Sequence, residues 1–469
     1  MSDKVQRKFN ACLEEKKFFS AGDRVGVAIS GGGDSVGLFH LLERVALQKG
    51  LQLVLVHLNH KLRGADSDED ESFVKELARS HDLPFFCRGI DVAAEASREG
   101  ANLEATARRL RYEFFQSLME EGRLDKIATG HTANDQAETV LLRLLRGSGT
   151  EGLGGIYPTL EGRIVRPLLN ITRQELLGFL EENHLPFRID QSNFDRRFLR
   201  NRVRAELLPK LEQEFNPQIV TLLSELAERS RDEEDYLRGE AERWLEQWAT
   251  STEGRHSLPL GALSRLVPAL ERRVLRAAIR GFGGRSASLT HDQMEALRRF
   301  AATGSGGGKF PLPRNLIIRK EFGHLVLTKQ ETAPRTYRYP VKVPGEQEIP
   351  GLGLVLQFKI VDTRTIQGKY NSEEWEKGVD WQKICTPLVL RNWEVGDRFQ
   401  PVGRRKPVKL KELLYRHKVS APRKRLWPLL TAGEQIIWVK NLSVESHVAV
   451  TPETRQILVI EERKAGGRK

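Results

Sequence analysis

The stretch VGVAISGGGDSVGLF, residues 25–39, places three consecutive glycines between two apolar runs. The first run predicts a buried strand and the second predicts a helix, so the glycines occupy a strand-to-helix turn. Successive glycines let backbone N–H groups approach an anion closely, and a helix N-terminus adds partial positive charge. The turn therefore predicts a phosphate-binding loop. No Gly-Lys-Ser/Thr follows, so it is not the common nucleotide loop.

Each polar residue of this loop has a predicted role. Ser30 and Ser35 are expected to donate hydroxyl hydrogen bonds to phosphate oxygens. Asp34 would repel phosphate unless a cation lies between them, so we expect it to help bind Mg²⁺. A tight turn with a capping aspartate is the simpler alternative, but three glycines and two serines exceed what a turn needs. The predicted cofactor-binding residues of the loop are Ser30, Gly31, Gly32, Gly33, Asp34 and Ser35.

Four strand-like runs, separated by helix-like segments, make up the first part of the chain. They are RVGVAI (24–29), LQLVLVHLNH (51–60), LPFFCRGI (83–90) and DKIATGH (125–131). This alternation predicts an α/β fold with a parallel sheet covered by helices on both faces. Ligands bind beyond the carboxyl ends of such strands. Because Asn59 and His60 end the second run and Gly130 lies near the end of the fourth, we expect all three to contact the cofactor.

A histidine and two carboxylates follow the fourth strand at helical spacing. His131, Asp135 and Glu138 stand at i, i+4 and i+7, which predicts one shared helix face. The acids suit an ammonium group or Mg²⁺, and the histidine suits a phosphate or a developing charge. Ordinary helix capping is the alternative, since Asp and Glu favour the first turn. The face adjoins the predicted ligand edge, so we predict that all three residues are catalytic.

The charge of the chain favours a polyanionic partner. The formal net charge is +12 over 469 residues, and nucleic acid is the most frequent partner of such proteins. Two segments concentrate the basic residues, at 196–204 and at 401–425. Guanidinium groups pair bidentately with phosphate, although a solvated basic surface is the alternative. The predicted nucleic-acid contacts are Arg196, Arg197, Arg200, Arg202, Arg204, Arg404, Arg405, Lys406, Lys409 and Lys411.

Other features exclude several classes of protein. No apolar run reaches the roughly 18 residues of a membrane span. Cys12, Cys87 and Cys385 lie far apart and form no CxxC pair or zinc spacing, so we expect reduced thiols and a cytoplasmic location. TGSGGGKF (303–310) lacks the first glycine and the final Ser/Thr of a Walker loop. It is predicted to be a plain loop before a hairpin.

The pattern changes twice along the chain. Long amphipathic stretches extend from Asn216 to about Thr303, and FPLPRNLIIRKEFGHLVLTK (310–329) predicts a hairpin. ETAPRTYRYPVKVPGE (331–346) is rich in proline and polar residues and predicts a linker. We therefore predict three domains: a catalytic α/β domain over 1–215, a mainly helical domain over 216–332, and a small basic α+β domain over 343–469.

Several motifs together resemble a known family. Residues 30–35 resemble the SGGxDS signature of the N-type ATP pyrophosphatases, the PP-loop superfamily. Further stretches narrow the resemblance to the tRNA(Ile)-lysidine synthetase family over about residues 20–210. These stretches are HLNHKLRG (57–64), ARRLRYEFF (107–115), ATGHTANDQAETVLLRLLRGSG (128–149), RPLL (166–169) and DQSNFDRRFLRNRVR (190–204). LRNWEVGDRFQPVG (390–403) resembles the C-terminal domain of the same family.

The resemblance implies a specific reaction. Members use ATP and Mg²⁺ to attach free L-lysine to C2 of the wobble cytidine of tRNA(Ile) with a CAU anticodon. The cytidine is first adenylated, and AMP and pyrophosphate are released. The resemblance further implies tRNA binding by the helical and C-terminal domains and allows for a homodimer. It places Arg111 in the active site, and it places Asp190, Ser192, Asn193 and Asn201 near the tRNA.

Two other functions fit parts of the pattern. Another PP-loop enzyme, which thiolates tRNA or amidates a small molecule, would use the same loop. The missing CxxC pairs disfavour many thiolating relatives, and the basic C-terminal region would be surplus in a small-molecule enzyme. The third function is a non-catalytic RNA-binding protein with a vestigial loop, which the intact loop and its nearby acids disfavour. The residues leave open which carboxylate binds lysine and which binds metal.

Overall fold

The computed structural model describes residues 2–62, 64–188, 199–252, 254–284, 289–303, 308–329, 336–365, 377–384, 387–419 and 421–464. The chain divides into two compact units, Met1–Gly239 and Glu240–Lys469. Among the helices of these ranges, none is both long enough and apolar enough to cross a bilayer. The domain boundaries predicted at 215, 332 and 343 stay predictions.

The N-terminal unit has the predicted α/β fold. Its strands are β1 (Arg24–Ala28), β2 (Gln52–Asn59), β3 (Phe85–Gly89), β4 (Lys126–Thr129), β5 (Thr159–Leu160) and β6 (Ile164–Val165). Its helices are α1 (Ser2–Lys16), α2 (Gly33–Lys49), α3 (Ala65–Ser80), α4 (Val92–Glu99), α5 (Leu103–Glu120), α6 (Ala133–Leu145), α7 (Thr150–Leu153), α8 (Arg173–Glu182), α9 (Leu199–Arg202) and α10 (Leu208–Glu214). A π-helical turn, Val203–Leu207, joins α9 to α10, and α11 (Ile219–Trp248) follows.

The sheet of this unit is buried on both faces. Its strand order is β3-β2-β1-β4-β6-β5, and only the β5–β6 pairing is antiparallel. Leu53 and Leu55 of β2 pack in a core with α1, α2 and α8, whereas Val54 and Val56 pack in a second core with α5. The four predicted strands are therefore confirmed. β5 and β6 have two residues each, too few to produce a periodic signal.

The topology brings three loops to one edge. β1 pairs in parallel with β2 on one side and with β4 on the other, so the loops after all three strands leave the sheet at the same edge. Gly130 packs against the start of α2, where a Cβ atom would lie 2.9 Å from the carbonyl oxygen of Asp34. Only glycine fits there without a backbone shift. The convergence of polar residues predicted at this edge is confirmed.

The C-terminal unit combines helices with antiparallel sheets. Its helices after α11 are α12 (Leu260–Leu263), α13 (Pro268–Gly283), α14 (His291–Ala302), α15 (Leu410–Arg416) and α16 (Ala421–Lys424). Its strands are β7 (Thr250–Thr252), β8 (Arg255–Pro259), β9 (Lys309–Leu312), β10 (Leu316–Glu321), β11 (His324–Lys329), β12 (Arg338–Val341), β13 (Gly345–Ile349), β14 (Leu354–Asp362), β15 (Val379–Asp380), β16 (Leu388–Asn392), β17 (Arg398–Phe399), β18 (Val408–Lys409), β19 (Pro428–Ala432), β20 (Gln435–Val439) and β21 (Gln456–Lys464).

Four sheets organise these strands. A five-stranded sheet, β7-β8-β11-β10-β9, shares a core with α13 and α14. The predicted hairpin segment, 310–329, contains β10, β11 and most of β9, and the sheet adds β7 and β8, which the sequence did not signal. Two four-stranded sheets, β12-β16-β19-β20 and β13-β14-β21-β15, and the pair β17–β18 complete the unit. The helical and α+β character expected of this part of the chain is thus present, with more strand than predicted.

The predicted linker over 331–346 is wrong where the structure describes it. β12 pairs with β16, and β13 pairs with β14. Both strands lie at the edge of their sheets. Proline is tolerated at an edge, since a missing N–H there breaks no ladder between two neighbours. Pro340 in β12 therefore marks an edge strand, and its presence had favoured the linker interpretation.

Candidate active site

The glycine-rich loop connects β1 to α2 and is held by its own serines. Gly31 has a φ of +90°, a conformation that favours glycine. The buried Ser35 hydroxyl donates to the carbonyl of Gly32 at 2.9 Å, and the backbone N–H of Ser30 donates to that hydroxyl at 3.1 Å. Ser35 thus shapes the loop, while the exposed Ser30 borders solvent. The predicted phosphate contacts of both serines stay predictions.

Asp34 has a cationic partner that the sequence did not single out. Arg173, the first residue of α8, donates to both carboxylate oxygens of Asp34, at 2.6 to 3.2 Å. Burial lowers the pKa of Arg173, but its hydrogen bond to Asp34 and the charge of that carboxylate outweigh burial and raise the pKa. In this structure Asp34 is therefore paired with Arg173, and the prediction that it helps to bind Mg²⁺ stays a prediction. In sequence, Arg173 is hidden inside the capping box of α8, between Thr172 and Glu175.

Helix α6 starts later than the spacing of its polar residues suggested. It begins at Ala133, so His131 precedes the helix, and the prediction that His131 shares a helix face with the two acids is wrong. Thr132 caps the helix, and its backbone N–H and hydroxyl both donate to Oδ2 of Asp135, at 2.9 and 3.0 Å. The capping alternative is correct for this oxygen. The other oxygen of Asp135, Oδ1, faces an arginine.

Two arginines close over the acids of α6. Arg204 donates to Asp135 Oδ1 at 2.9 Å, and its Nε and Nη2 donate to the two carboxylate oxygens of Glu138. Arg200 donates from Nε to Glu138 Oε2 at 3.2 Å and lies 3.5 Å from Asp135 Oδ1. We call Asp135, Glu138, Arg200 and Arg204 the arginine–carboxylate cluster. It unites acids and arginines that the sequence had placed at separate sites.

Both acids of this cluster are buried and hydrogen-bonded to Arg204. Glu138 is 0% exposed and Asp135 is 7% exposed. Burial alone would raise the pKa of Asp135, but the charges of Arg204 and Arg173, with the hydrogen bond from the Thr132 backbone, hold it below its ordinary value. A buried carboxylate is stable only when a cation and hydrogen-bond donors surround it. The burial of these two acids therefore depends on the cationic partners that Arg200 and Arg204 supply.

Two histidines at the edge are neutral at pH 7. Burial lowers the pKa of His131 to about 4, and the charges of nearby arginines add to the effect. Its Nδ1 lies 2.9 Å from the Thr129 hydroxyl. Burial likewise lowers the pKa of His60 to about 4. Because His60 is neutral, its Nε2 accepts from Nη2 of Arg111 at 3.2 Å, so the two residues predicted separately lie together.

The positive charge beside His131 comes from arginines. Arg108, Arg111 and Arg166 each lower the pKa of His131 through their charge. Arg166 is 4% exposed and donates to the Tyr112 hydroxyl at 3.0 Å and to the Tyr157 carbonyl. Its Nε is buried without a hydrogen-bond partner. Arg166 lies within the quoted stretch RPLL, but nothing in its local pattern distinguished it from an ordinary surface charge.

Asn59 is engaged within the chain. Its amide nitrogen donates to Asp68 and Glu71 of α3, at 3.1 and 2.9 Å, and its oxygen accepts from the Lys61 backbone N–H at 2.9 Å. These bonds tie the end of β2 to α3. The structure therefore gives Asn59 a positioning role, and its contact with a cofactor stays a prediction.

The remaining tRNA predictions fall into two groups. Asp190, Ser192, Asn193, Arg196 and Arg197 lie outside the described residues. Asn201 and Arg202 lie on α9 beside Arg200. The Arg202 side chain is 59% exposed, and Glu206, one helical turn away, lies 3.9 Å from its Nε. Arg202 therefore differs from Arg200 and Arg204, which face the buried acids.

Three family models match the chain along its length. The PP-loop domain matches residues 1–211, the TilS substrate binding domain matches 258–326, and the TilS substrate C-terminal domain matches 388–461. The tRNA(Ile)-lysidine synthase of Solibacter usitatus is 36% identical over 446 residues, which cover 95% of this chain and 99% of that protein. The tRNA(Ile)-lysidine synthase of Geobacter sulfurreducens is 36% identical over 466 residues, 98% of each.

The chain belongs to the tRNA(Ile)-lysidine synthase family. Its PP-loop domain assigns ATP binding to the N-terminal unit. Among solved structures, the U34-tRNA thiolase NcsA from Methanococcus maripaludis matches 48% of this chain and 78% of its own, with 18% identity and a TM-score of 0.42.

The second basic segment of this tRNA(Ile)-lysidine synthase family member is exposed. Arg404, Arg405 and Lys406 lie between β17 and β18, Lys409 is the last residue of β18, and Lys411 lies in the first turn of α15. We call these five residues the basic loop. All five are exposed, and within the described residues none forms an ion pair. The family model for the C-terminal domain covers all of them.

Proposed function

We propose that the chain ligates free L-lysine to C2 of the wobble cytidine of tRNA(Ile) with a CAU anticodon, and converts ATP to AMP and pyrophosphate. Similarity to the lysidine synthases over nearly the whole chain carries the proposal. The geometry supports it, because one sheet edge combines a glycine-rich anion loop with two buried carboxylates and several arginines. A thiolating or small-molecule enzyme is not favoured by that full-length similarity.

We propose that the loop over residues 30–35 holds the phosphates that ATP gives up as pyrophosphate. The left-handed Gly31 and the start of α2 at Gly33 suit close approach of an anion to backbone N–H groups. Asp34 offers the oxygen ligands that Mg²⁺ prefers. Its carboxylate could bind the ion after its hydrogen bonds with Arg173 are broken. Bound Mg²⁺ would neutralise phosphate charge, which Arg173 also does.

We propose that Asp135 and Glu138 hold the ammonium group of the incoming lysine. These buried carboxylates suit a cationic substrate, and they are the two acids of α6. His131 is neutral, so it would contribute a hydrogen bond at the reacting centre. The positive charge that stabilises the adenylated cytidine would come from Arg108, Arg111 and Arg166.

We propose that residues 216–332 and 343–469 grip the body of the tRNA, with the basic loop as one contact surface. Exposed, unpaired cations gain most from phosphate, because they give up no internal partner when they bind. The homodimer that the family resemblance allows is a separate proposal. Light scattering of the purified chain would show twice the monomer mass if it is correct.

A labelled-lysine assay tests the proposed function. The chain is mixed with ATP, labelled lysine and a tRNA(Ile) transcript with a CAU anticodon, and a transcript with uridine at the wobble position serves as the control. Label should enter only the CAU transcript, with one AMP and one pyrophosphate released for each lysine attached. Release of ADP, or equal labelling of both transcripts, would contradict the proposal.

A further inference from the structure

We propose that Arg200 and Arg204 form a gate over the lysine site: they occupy the carboxylates of Asp135 and Glu138 until tRNA draws them away. This inference rests on the proposed function, since it assigns those carboxylates to lysine. It adds a coupling between the two substrates, in which bound tRNA raises the affinity for lysine.

The first support is that the site is already filled by a cation. Arg204 bonds both acids at once, at 2.9 Å to Asp135 Oδ1 and 2.9 Å to Glu138 Oε2. A guanidinium in that position stands where a substrate ammonium would have to lie. Lysine and Arg204 therefore compete for the same two carboxylates.

The second support is the burial of the acids. Glu138 is completely inaccessible and Asp135 nearly so, and breaking a buried ion pair by removing one partner is strongly destabilising. The arginines therefore leave only if another cation takes their place. Lysine can supply that cation, but only once the guanidinium groups have found a new anionic partner.

The third support is where the arginines lie. Arg200 belongs to α9 and Arg204 to the adjoining π-helical turn, and between them Arg202 is exposed to solvent. The segment therefore exposes Arg202 to solvent and directs Arg200 and Arg204 at the buried acids. π-helical turns are rare and concentrate at functional sites. A one-residue change of register there would rotate Arg204 by roughly 100° about the helix axis.

Phosphate is the anion that suits the displaced arginines. Guanidinium pairs with phosphate as bidentately as with carboxylate, and a bound tRNA supplies many phosphates. Because coupling between two ligands is reciprocal, lysine must raise the affinity for tRNA by the same factor by which tRNA raises the affinity for lysine. Factors of about 5 to 150 are usual for coupled sites.

Equilibrium dialysis with labelled lysine tests the gate. The full chain is saturated with an ATP analogue that has a methylene bridge between the α- and β-phosphates, with and without the CAU transcript. The wild-type chain should bind lysine at least about fivefold more tightly when tRNA is present. Without tRNA, Arg204→Gln should bind lysine more tightly than wild type does. For this variant the ratio of the lysine affinity with tRNA to that without tRNA should fall towards one.

Lys210→Gln is the matched control, because it removes an exposed positive charge from the adjoining α10, where Glu214 and neither buried acid is its partner. It should keep the wild-type response of lysine affinity to tRNA. Arg204→Lys is a second variant in case Arg204→Gln does not fold. Its single ammonium cannot bridge both acids as a guanidinium does, so it too should bind lysine more tightly than wild type without tRNA.

Three results would overturn the gate: equal lysine affinity with and without tRNA in wild type, equal behaviour of the position-210 and position-204 variants, or weaker lysine binding in both position-204 variants. In each case wild-type ligation of labelled lysine to the CAU transcript would still support the proposed function. Absence of that ligation would reject the proposed function instead, so the two failures are distinguishable.

Discussion

The arginine–carboxylate cluster and the basic loop contain the same kinds of side chain in opposite situations. Arg200 and Arg204 are bound to buried acids of α6, at distances from 2.9 to 3.5 Å where they meet Asp135. The cations of the basic loop are exposed and, in the ranges the structure describes, form no ion pair. In sequence the two segments look alike, since both are short runs dense in arginine and lysine.

The two groups of cations differ in the partners that they must release before they can bind phosphate. A cation of the basic loop releases only water and counterions when phosphate binds, so its contacts add to affinity directly. An arginine of the cluster must leave a buried acid before it binds tRNA. Its contact with tRNA therefore depends on whether another cation replaces it at that acid. The basic loop is therefore suited to bind tRNA, and the arginine–carboxylate cluster is suited to change its pairing when tRNA binds.

The largest effect is expected at the glycine-rich loop. Asp34→Ala should reduce lysine transfer by at least about 100-fold, since it removes a charge from the phosphate site. Affinity for tRNA should stay within about twofold of wild type, because the basic loop is untouched. Single-turnover transfer and filter binding measure the two quantities. A parallel loss of tRNA affinity would contradict the prediction that the basic loop binds tRNA independently of the phosphate site.

The next effect is on stability and compares acids in the two regions. Glu138→Ala leaves two guanidinium groups around one acid and should lower the free energy of unfolding by about 3–5 kcal/mol. Glu412→Ala removes an exposed acid of α15, beside the basic loop, and should change it by less than about 0.5 kcal/mol. Urea unfolding of both variants measures the difference. Similar values would mean that the cluster does not depend on Glu138.

A smaller effect is expected in the salt dependence of tRNA binding. Replacing Arg404, Arg405 and Lys406 with alanine should weaken binding and flatten the plot of log affinity against log salt by about one unit for each phosphate that is no longer neutralised. Arg200→Gln with Arg204→Gln should change the slope less, because these side chains begin paired with acids. An unchanged slope in the triple variant would remove the basic loop from the tRNA surface.

Much of the fold could be predicted, for reasons visible in particular residues. The apolar strand β2 and the glycines of residues 31–33 signal a parallel sheet with a ligand edge, because burial on both faces and left-handed backbone leave clear compositional traces. Two-residue strands such as β5 leave none. Edge strands with proline, such as β12, resemble a linker in sequence because pairing on one side only relaxes the usual constraints on a strand.

The site could be predicted only in part, because its pairings join distant residues. Asp34 and Arg173 are 139 positions apart, and Glu138 and Arg204 are 66 apart. Each of these residues carries a local signal, but no local signal tells which acid meets which arginine. The register of α6 was also hidden, since the spacing of His131 fits a helix that in fact begins two residues later. Tertiary packing decides both.

The smallest effect concerns pH and contrasts a histidine of the edge with one near the basic loop. The pKa of His60 is about 4 when folded, below the ordinary value of about 6.5. Between these values the unfolded chain binds more protons than the folded chain, so stability should rise with pH from about 4 to 6.5 and then level off. His60→Gln should flatten that rise in the thermal midpoint, while replacing the exposed His417 with glutamine should not. Equal curves for wild type and His60→Gln would mean that burial beside Arg111 does not hold His60 neutral.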